Sequence, residues 1–204
     1  MKLTIITLIL FMCFSCNKLN INSENNVQER LTDTEIPINE NLQNEVLNVD
    51  EILFNGKLKR FFSTKDFEIV FGKADSIILM SDEAPCNYIF ENKDGSKNLN
   101  DKYYYKNGSR FENTKEKLAV DEFRFSNNNF ILYKGKELSS ETTITELKKL
   151  FPNAIKNIET IDVYNEGKLQ VIQLREDENN ISDGHIKIFL KNGRLFYIHW
   201  WFPC

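Results

Sequence analysis

Cys13 and Cys16 in "FMCFSC" stand three positions apart, the spacing of a redox dithiol or of half a zinc site. A reactive dithiol needs a polar, electropositive setting at a helix start, whereas Cys16 ends a greasy N-terminal run. His185 and His199 are the only side chains with a neutral-range pKa and imidazole ligand capacity. If Asn192 and Gly193 form a two-residue turn, Lys191 pairs with Arg194, His185 faces Trp200 and His199 faces Ile186. Those pairs fall on opposite sides of a sheet, so the spacing predicts two structural histidines and no shared metal. The acidic stretch "REDENNISDG", Arg175 to Gly184, puts Ile181 where an EF-hand needs an oxygen ligand, and reads as a solvated hairpin loop. No phosphate cradle, dinucleotide fingerprint or nucleophile elbow is present, so the sequence gives no catalytic residue and no cofactor, and the expectation is a non-enzymatic protein.

The elements around Cys16 are more informative. "MKLTIITLILFMCFS" is a basic start, a short apolar run and a small residue, the grammar of an export leader, and too short for a bilayer span of roughly 20 residues. With the following cysteine it resembles a bacterial lipoprotein signal of the looser kind ending in Ser-Cys. The resemblance implies that signal peptidase II removes residues 1–15 and leaves Cys16 as the lipidated first residue, held in the membrane by palmitate and diacylglycerol. Plain secretion or an uncleaved anchor are the alternatives. The implied location is the cell envelope, outer membrane facing periplasm or exterior.

Without its leader the chain has 189 residues and a net charge of -5, against 204 residues and -4 for the whole. Mild acidity without a basic tract argues against nucleic acid as a partner. Of the four cysteines, Cys86 and Cys204 remain. In an oxidising compartment they suggest one disulfide, stabilising by at most about 4 to 5 kcal/mol on chain-entropy grounds; two unpaired thiols are the alternative.

Residues 16–50 are rich in Asn and Glu and carry no aromatic residue, which predicts a flexible tether reaching roughly 30 Å, with Asn41 to Leu47 as a weak helix alternative. Two similar halves follow, 51–128 and 129–204. "ILFNGKLKRFFSTKDFEIVFGKA" from Ile52 and "ILYKGKELSSETTITELKKLFPNA" from Ile131 both run from a strand through a glycine turn into a capped helix. Ser63 with Asp66 and Thr143 with Glu146 have capping-box spacing, and Gly72 or Pro152 is expected to stop the helix. "YYYKNGSRF" and "IFLKNGRLF" carry Asn-Gly hairpin turns, expected to close each half; "SIILM", "CNYIF", "IDVYN" and "LQVIQL" read as further strands. The fold class is therefore α+β: two tandem repeats, each one helix packed on an antiparallel β-sheet meander.

This layout resembles the β-lactamase inhibitory proteins, whose tandem helix-plus-sheet repeats form one curved sheet. "STKDFEIVFGKAD" is similar to the small lipoprotein of the outer-membrane barrel-assembly complex. The resemblance implies an inhibitor or immunity-like module for another envelope or secreted protein, or else an assembly component of the envelope. In the register above, Phe189, Phe196, Ile198 and Trp200 share one face, and Tyr104 with Phe111 occupy the equivalent face. The expectation is that these six form a partner-binding surface; the alternative is that both faces are buried.

Overall fold

The computed structural model describes residues 45–179 and 183–203. The leader, Cys16, most of the tether, Ile181 and Cys204 lie outside the described residues.

Both capping boxes form. Ser63 Oγ accepts from the Asp66 amide while the Asp66 carboxylate accepts from the Ser63 amide, starting α1 (Thr64–Phe71), which ends at Gly72 with φ 76°. Thr143 and Glu146 do the same for α3 (Ile144–Leu150). Each cap satisfies an amide that the helix start leaves unpaired, so Ser63→Ala is expected to cost about 1 kcal/mol in urea unfolding, and an unchanged midpoint would contradict it. Pro152 does not stop the second helix outright. It occupies the first turn of a further short helix, α4 (Pro152–Lys156), where a missing N–H costs nothing. The first half also has a second short helix, α2 (Met80–Glu83).

The fold is mixed, with few helices and mostly antiparallel sheet. Along the chain come β1 (Ile52–Phe54), β2 (Phe61–Ser63), α1, β3 (Ser76–Leu79), α2, β4 (Lys102–Lys106), β5 (Ser109–Thr114) and β6 (Lys117–Arg124). Then follow β7 (Ile131–Tyr133), β8 (Lys136–Leu138), α3, α4, β9 (Glu159–Val163), β10 (Gly167–Arg175), β11 (His185–Lys191) and β12 (Arg194–Trp201). The large sheet has the order β3-β4-β5-β6-β12-β11-β10-β9, and a small sheet has the order β1-β7-β8. β6 gives residues 117–119 to β2 and 122–124 to β12.

Both Asn-Gly pairs make the expected turns, with positive φ at Asn107, Gly108, Asn192 and Gly193. The first does not close its half, because β6 follows. "CNYIF" is not a strand; it belongs to the long connection between α2 and β4.

Two β-bulges decide which side chains share a face. The pairing Phe111↔Val120 is followed by Arg110↔Glu122, leaving Asp121 as the extra residue of β6. Likewise Leu190↔Leu195 is followed by Phe189↔Tyr197, leaving Phe196 as the extra residue of β12. A bulge shifts the alternation by one position beyond it.

The helices cover one face of the large sheet. Phe67 and Phe71 of α1 and Leu147 and Phe151 of the α3–α4 unit join Phe111, Val120, Phe123, Ile188, Ile198 and Trp200 in one core. The opposite face holds a smaller cluster of Leu169, Val171, Phe189 and Tyr197. The folded body also reaches into the expected tether. Leu47 is fully buried, its amide donates to the Arg175 carbonyl, and the Glu45 carboxylate accepts from the Asn153 and Ala154 amides at the start of α4. Residues 45–47 are extended, not helical, because Val46 bridges β10 in parallel. Among the described residues no helix is long and apolar enough to cross a membrane.

Candidate functional site

The six aromatic and apolar residues expected to form one face are divided by the structure. Tyr104 and Phe111 pair across β4 and β5 as expected, but they point into the helix-side core: Phe67 meets both, with ring centroids 5.8 and 5.2 Å away. Ile198 and Trp200 lie in that same core. Phe189 lies on the other face, stacked on Tyr197 at 4.2 Å, and Phe196 packs beside that pair. The bulge at Phe196 is the physical reason, since the register without it assigns Phe189, Ile198 and Trp200 to one side.

The same bulge moves the histidines together. His185 is opposite Trp201 and His199 opposite Lys187, which puts both histidines on the face away from the helices. His185 stacks on Trp201. Among the described residues no group of three or more His, Cys, Asp or Glu is placed to hold a metal ion.

On that face lies a cleft of about 660 Å³. Its floor is built from β4, β5, β6 and β12, presenting Tyr103, Arg110, Glu112, Asp121, His199 and Trp201. Its roof is the connection after α2, including Pro85, Cys86, Asn87, Tyr88 and Ile89, and Arg60, Phe61 and Phe202 complete the wall. This is where a charged network is held. The Arg110 guanidinium donates to Asp121 at 2.5 Å, and the other Asp121 oxygen is 3.8 Å from His199 Nε2. Arg60 pairs with Glu176, donates Nε to the Val120 carbonyl, and sits 4.9 Å from the Trp200 ring. Glu176 thus gives the loop after β10 a structural contact that a purely solvated loop lacks.

Glu112 latches the roof. It is 1% exposed, and its two oxygens accept the Ile89 and Phe90 amides at 2.8 Å each. Burial pushes its carboxyl up to about 7; the two amides oppose that shift, and Asp121 and Asp101 add to it by repulsion. Burial pulls Arg60 below its usual value, outweighing the attraction of Glu176, Asp121 and Glu112. Burial likewise lowers the His199 imidazole, outweighing the pull of Asp121.

Because the native Glu112 pKa lies above its unfolded value, the folded state keeps a proton that the unfolded chain releases. Its stabilising contribution is therefore full below the unfolded carboxyl range near 4.5 and is lost as pH rises to about 7. Stability is expected to fall over that window, and Glu112→Gln, which cannot ionise, is expected to flatten the fall. Urea midpoints at stepped pH values check this, and equal slopes for both proteins would refute it.

Sequence reasoning missed Arg60, Arg110, Glu112 and Asp121. A signal for one part existed: the large apolar residues of β6 run Leu118, Val120, then Phe123, and that change of spacing from two to three marks the bulge that carries Asp121.

No family model matches the chain, and comparison with curated proteins and with solved structures finds no match. The reading of the cleft therefore rests on its own chemistry. Buried, mutually paired charges fix its shape, and aromatic side chains at its mouth offer contact area. Phe61 is 54% exposed and meets Phe90 edge-on. Glu112 gives both of its oxygens to backbone amides of the roof.

Proposed function

We propose that the protein is a lipid-anchored envelope module that binds another protein through this cleft, as an inhibitor or immunity-like component. The observation that carries the reading is the cleft itself, a rigid ionic floor beneath an exposed aromatic mouth. The envelope location rests on the leader and Cys16. Cys16→Ser is expected to abolish sedimentation with membranes, and unchanged sedimentation would remove that part.

The strand order supports a duplicated architecture. β3 to β6 and β9 to β12 run inward from the two edges to meet at the β6–β12 pair, and β1 pairs antiparallel with β7. In this arrangement β11–β12 corresponds to β5–β6, so the two Asn-Gly turns are not equivalent.

Cys86 and the chain end support the proposed disulfide. Asn87 Nδ2 donates to the carbonyls of Phe202 and Pro203, bringing the residue after Cys86 to the residue before Cys204. Intact mass is expected to show loss of residues 1–15, acylation, and about 2 Da less than the dithiol form. Quantitative labelling of two thiols in the unreduced protein would exclude the bridge.

To test the binding reading, a photocrosslinking residue is placed at Phe61 or Tyr88, with Tyr164 as control. Tyr164 is 90% exposed beyond the far edge strand β9. A protein captured at the cleft positions and not at Tyr164 is the expected result; indiscriminate or absent capture there would sink the reading. A second reading, an assembly component of the envelope, is favoured by the edge strand β3, which exposes Ile77, Ile78 and Leu79 in succession. Copurification with outer-membrane barrels, lost on Ile78→Lys, would select it.

A further inference from the structure

The two edges of the large sheet are not defended alike. At one end β9 carries Glu159 and Asp162 among its five residues, and charge on an exposed edge opposes the addition of another strand. At the other end β3 reads Ser-Ile-Ile-Leu, exposed along its whole length and without a charge. Its open backbone has a fixed phase. The Met80 amide donates to the Asp101 carbonyl, one step beyond the pair Leu79↔Lys102, so by antiparallel alternation Ile78 turns its N–H and C=O toward Tyr103 of β4. The N–H and C=O of Ile77 and Leu79 therefore point away from the sheet, and no backbone group among the described residues takes them up.

We propose that a second copy of this chain occupies this edge, in an antiparallel β3–β3 pairing with its twofold axis at Ile78. In that register Ile77 lies opposite Leu79 of the second copy, and the twofold repeats the pair. Both residues have outward-facing backbone groups, so each of these two pairs exchanges two hydrogen bonds, four in all. On the axis Ile78 meets Ile78. Ile77 and Leu79 lie on the helix side, with Tyr104, and Ile78 on the other, with Tyr103, so every apolar side chain meets an apolar one on its own face. Moving the axis to Ile77 would set Ser76 against Ile78 and Asp75 against Leu79, which loses that match. The flanks agree in charge. The axis at Ile78 brings the exposed Lys73 of one copy beside the exposed Asp82 of the other, while Asp75 is already held by Lys106 and the Asn107 amide. The contact is small, so the dissociation constant is expected to be on the order of 100 μM. This pairing does not depend on the cleft, and it competes with the assembly reading for the same strand.

The test uses the full-length protein in detergent, by sedimentation equilibrium from about tenfold below to about tenfold above that constant, with the detergent contribution matched out. The protein mass is expected to double across the range. Ile78→Lys, which sets two ammonium groups against each other on the axis, is expected to stay monomeric, and Ile161→Lys on β9 to dimerise as the unmodified chain does. The register is tested separately by mild oxidation of cysteine variants. Residues facing each other in a pair without hydrogen bonds have Cα atoms about 4.5 Å apart, within disulfide reach. Ile78→Cys is therefore expected to give a covalent dimer on a non-reducing gel. Ile77→Cys, displaced from its own copy by two residues and roughly 8 Å, is expected to give no more than the unmodified chain. A mass that stays monomeric throughout, Ile78→Lys dimerising unchanged, or Ile77→Cys crosslinking as readily as Ile78→Cys overturns the proposal. A monomer that copurifies with outer-membrane barrels, and loses them on Ile78→Lys, overturns it in favour of the assembly reading. Failure of the pairing leaves the cleft-binding reading untouched, since capture at Phe61 and Tyr88 is measured independently.

Discussion

Phe67→Ala is expected to lower the unfolding free energy by about 3 to 5 kcal/mol, measured by urea denaturation. Phe67 is almost wholly buried, and its ring lies between 5.2 and 6.5 Å from those of Phe111, Phe71, Tyr104 and Phe62. Truncation removes the ring's own transfer energy and leaves a hole bounded by other rigid rings, which cannot collapse far. Ile69 on the same helix is 66% exposed, and Ile69→Ala is expected to change stability by under about 0.5 kcal/mol. Similar losses for the two would mean that α1 packs by a different face.

Arg60→Ala is expected to cost a comparable amount, about 3 to 5 kcal/mol, for an electrostatic reason. It strands Glu176, whose side chain is largely buried, and removes the cation stacked on Trp200. Arg60→Met with Glu176→Gln, which replaces both charges while keeping volume, is expected to recover most of that loss, because the pair's attraction is largely offset by its desolvation. If the double replacement is as damaging as the alanine, the pair contributes net stability and the cleft wall depends on charge as such.

The contrast between these two sites shows what was legible in the sequence. Phe67 and Phe71, the two caps and both Asn-Gly turns follow from local spacing, which the chain keeps whatever it packs against. The cleft does not follow, because its residues come from six separate segments, and Arg60, Glu112 and Asp121 each resemble an ordinary surface charge until pairing brings them together. The faces of β12 were misassigned for a related reason. "LFYIHWW" is apolar or aromatic at so many consecutive positions that either alternation fits, and only the pairing with β11 shows that Phe196 is the residue passed over. "CNYIF" has strand composition, but Glu112 holds the Ile89 and Phe90 amides that a strand partner would need.

The extra residues at Asp121 and Phe196 sit on the two strands that meet at the middle of the large sheet, and those strands still pair in step through Ile198↔Phe123. Each insertion therefore works as a phase-setter for its own hairpin. Deleting Asp121 alone would rotate one side of that seam by half a pleat, sending Val120 toward the roof and a charge toward α1. Length at these two places is consequently more tightly constrained than residue type, and tolerance to substitution there should far exceed tolerance to a one-residue indel.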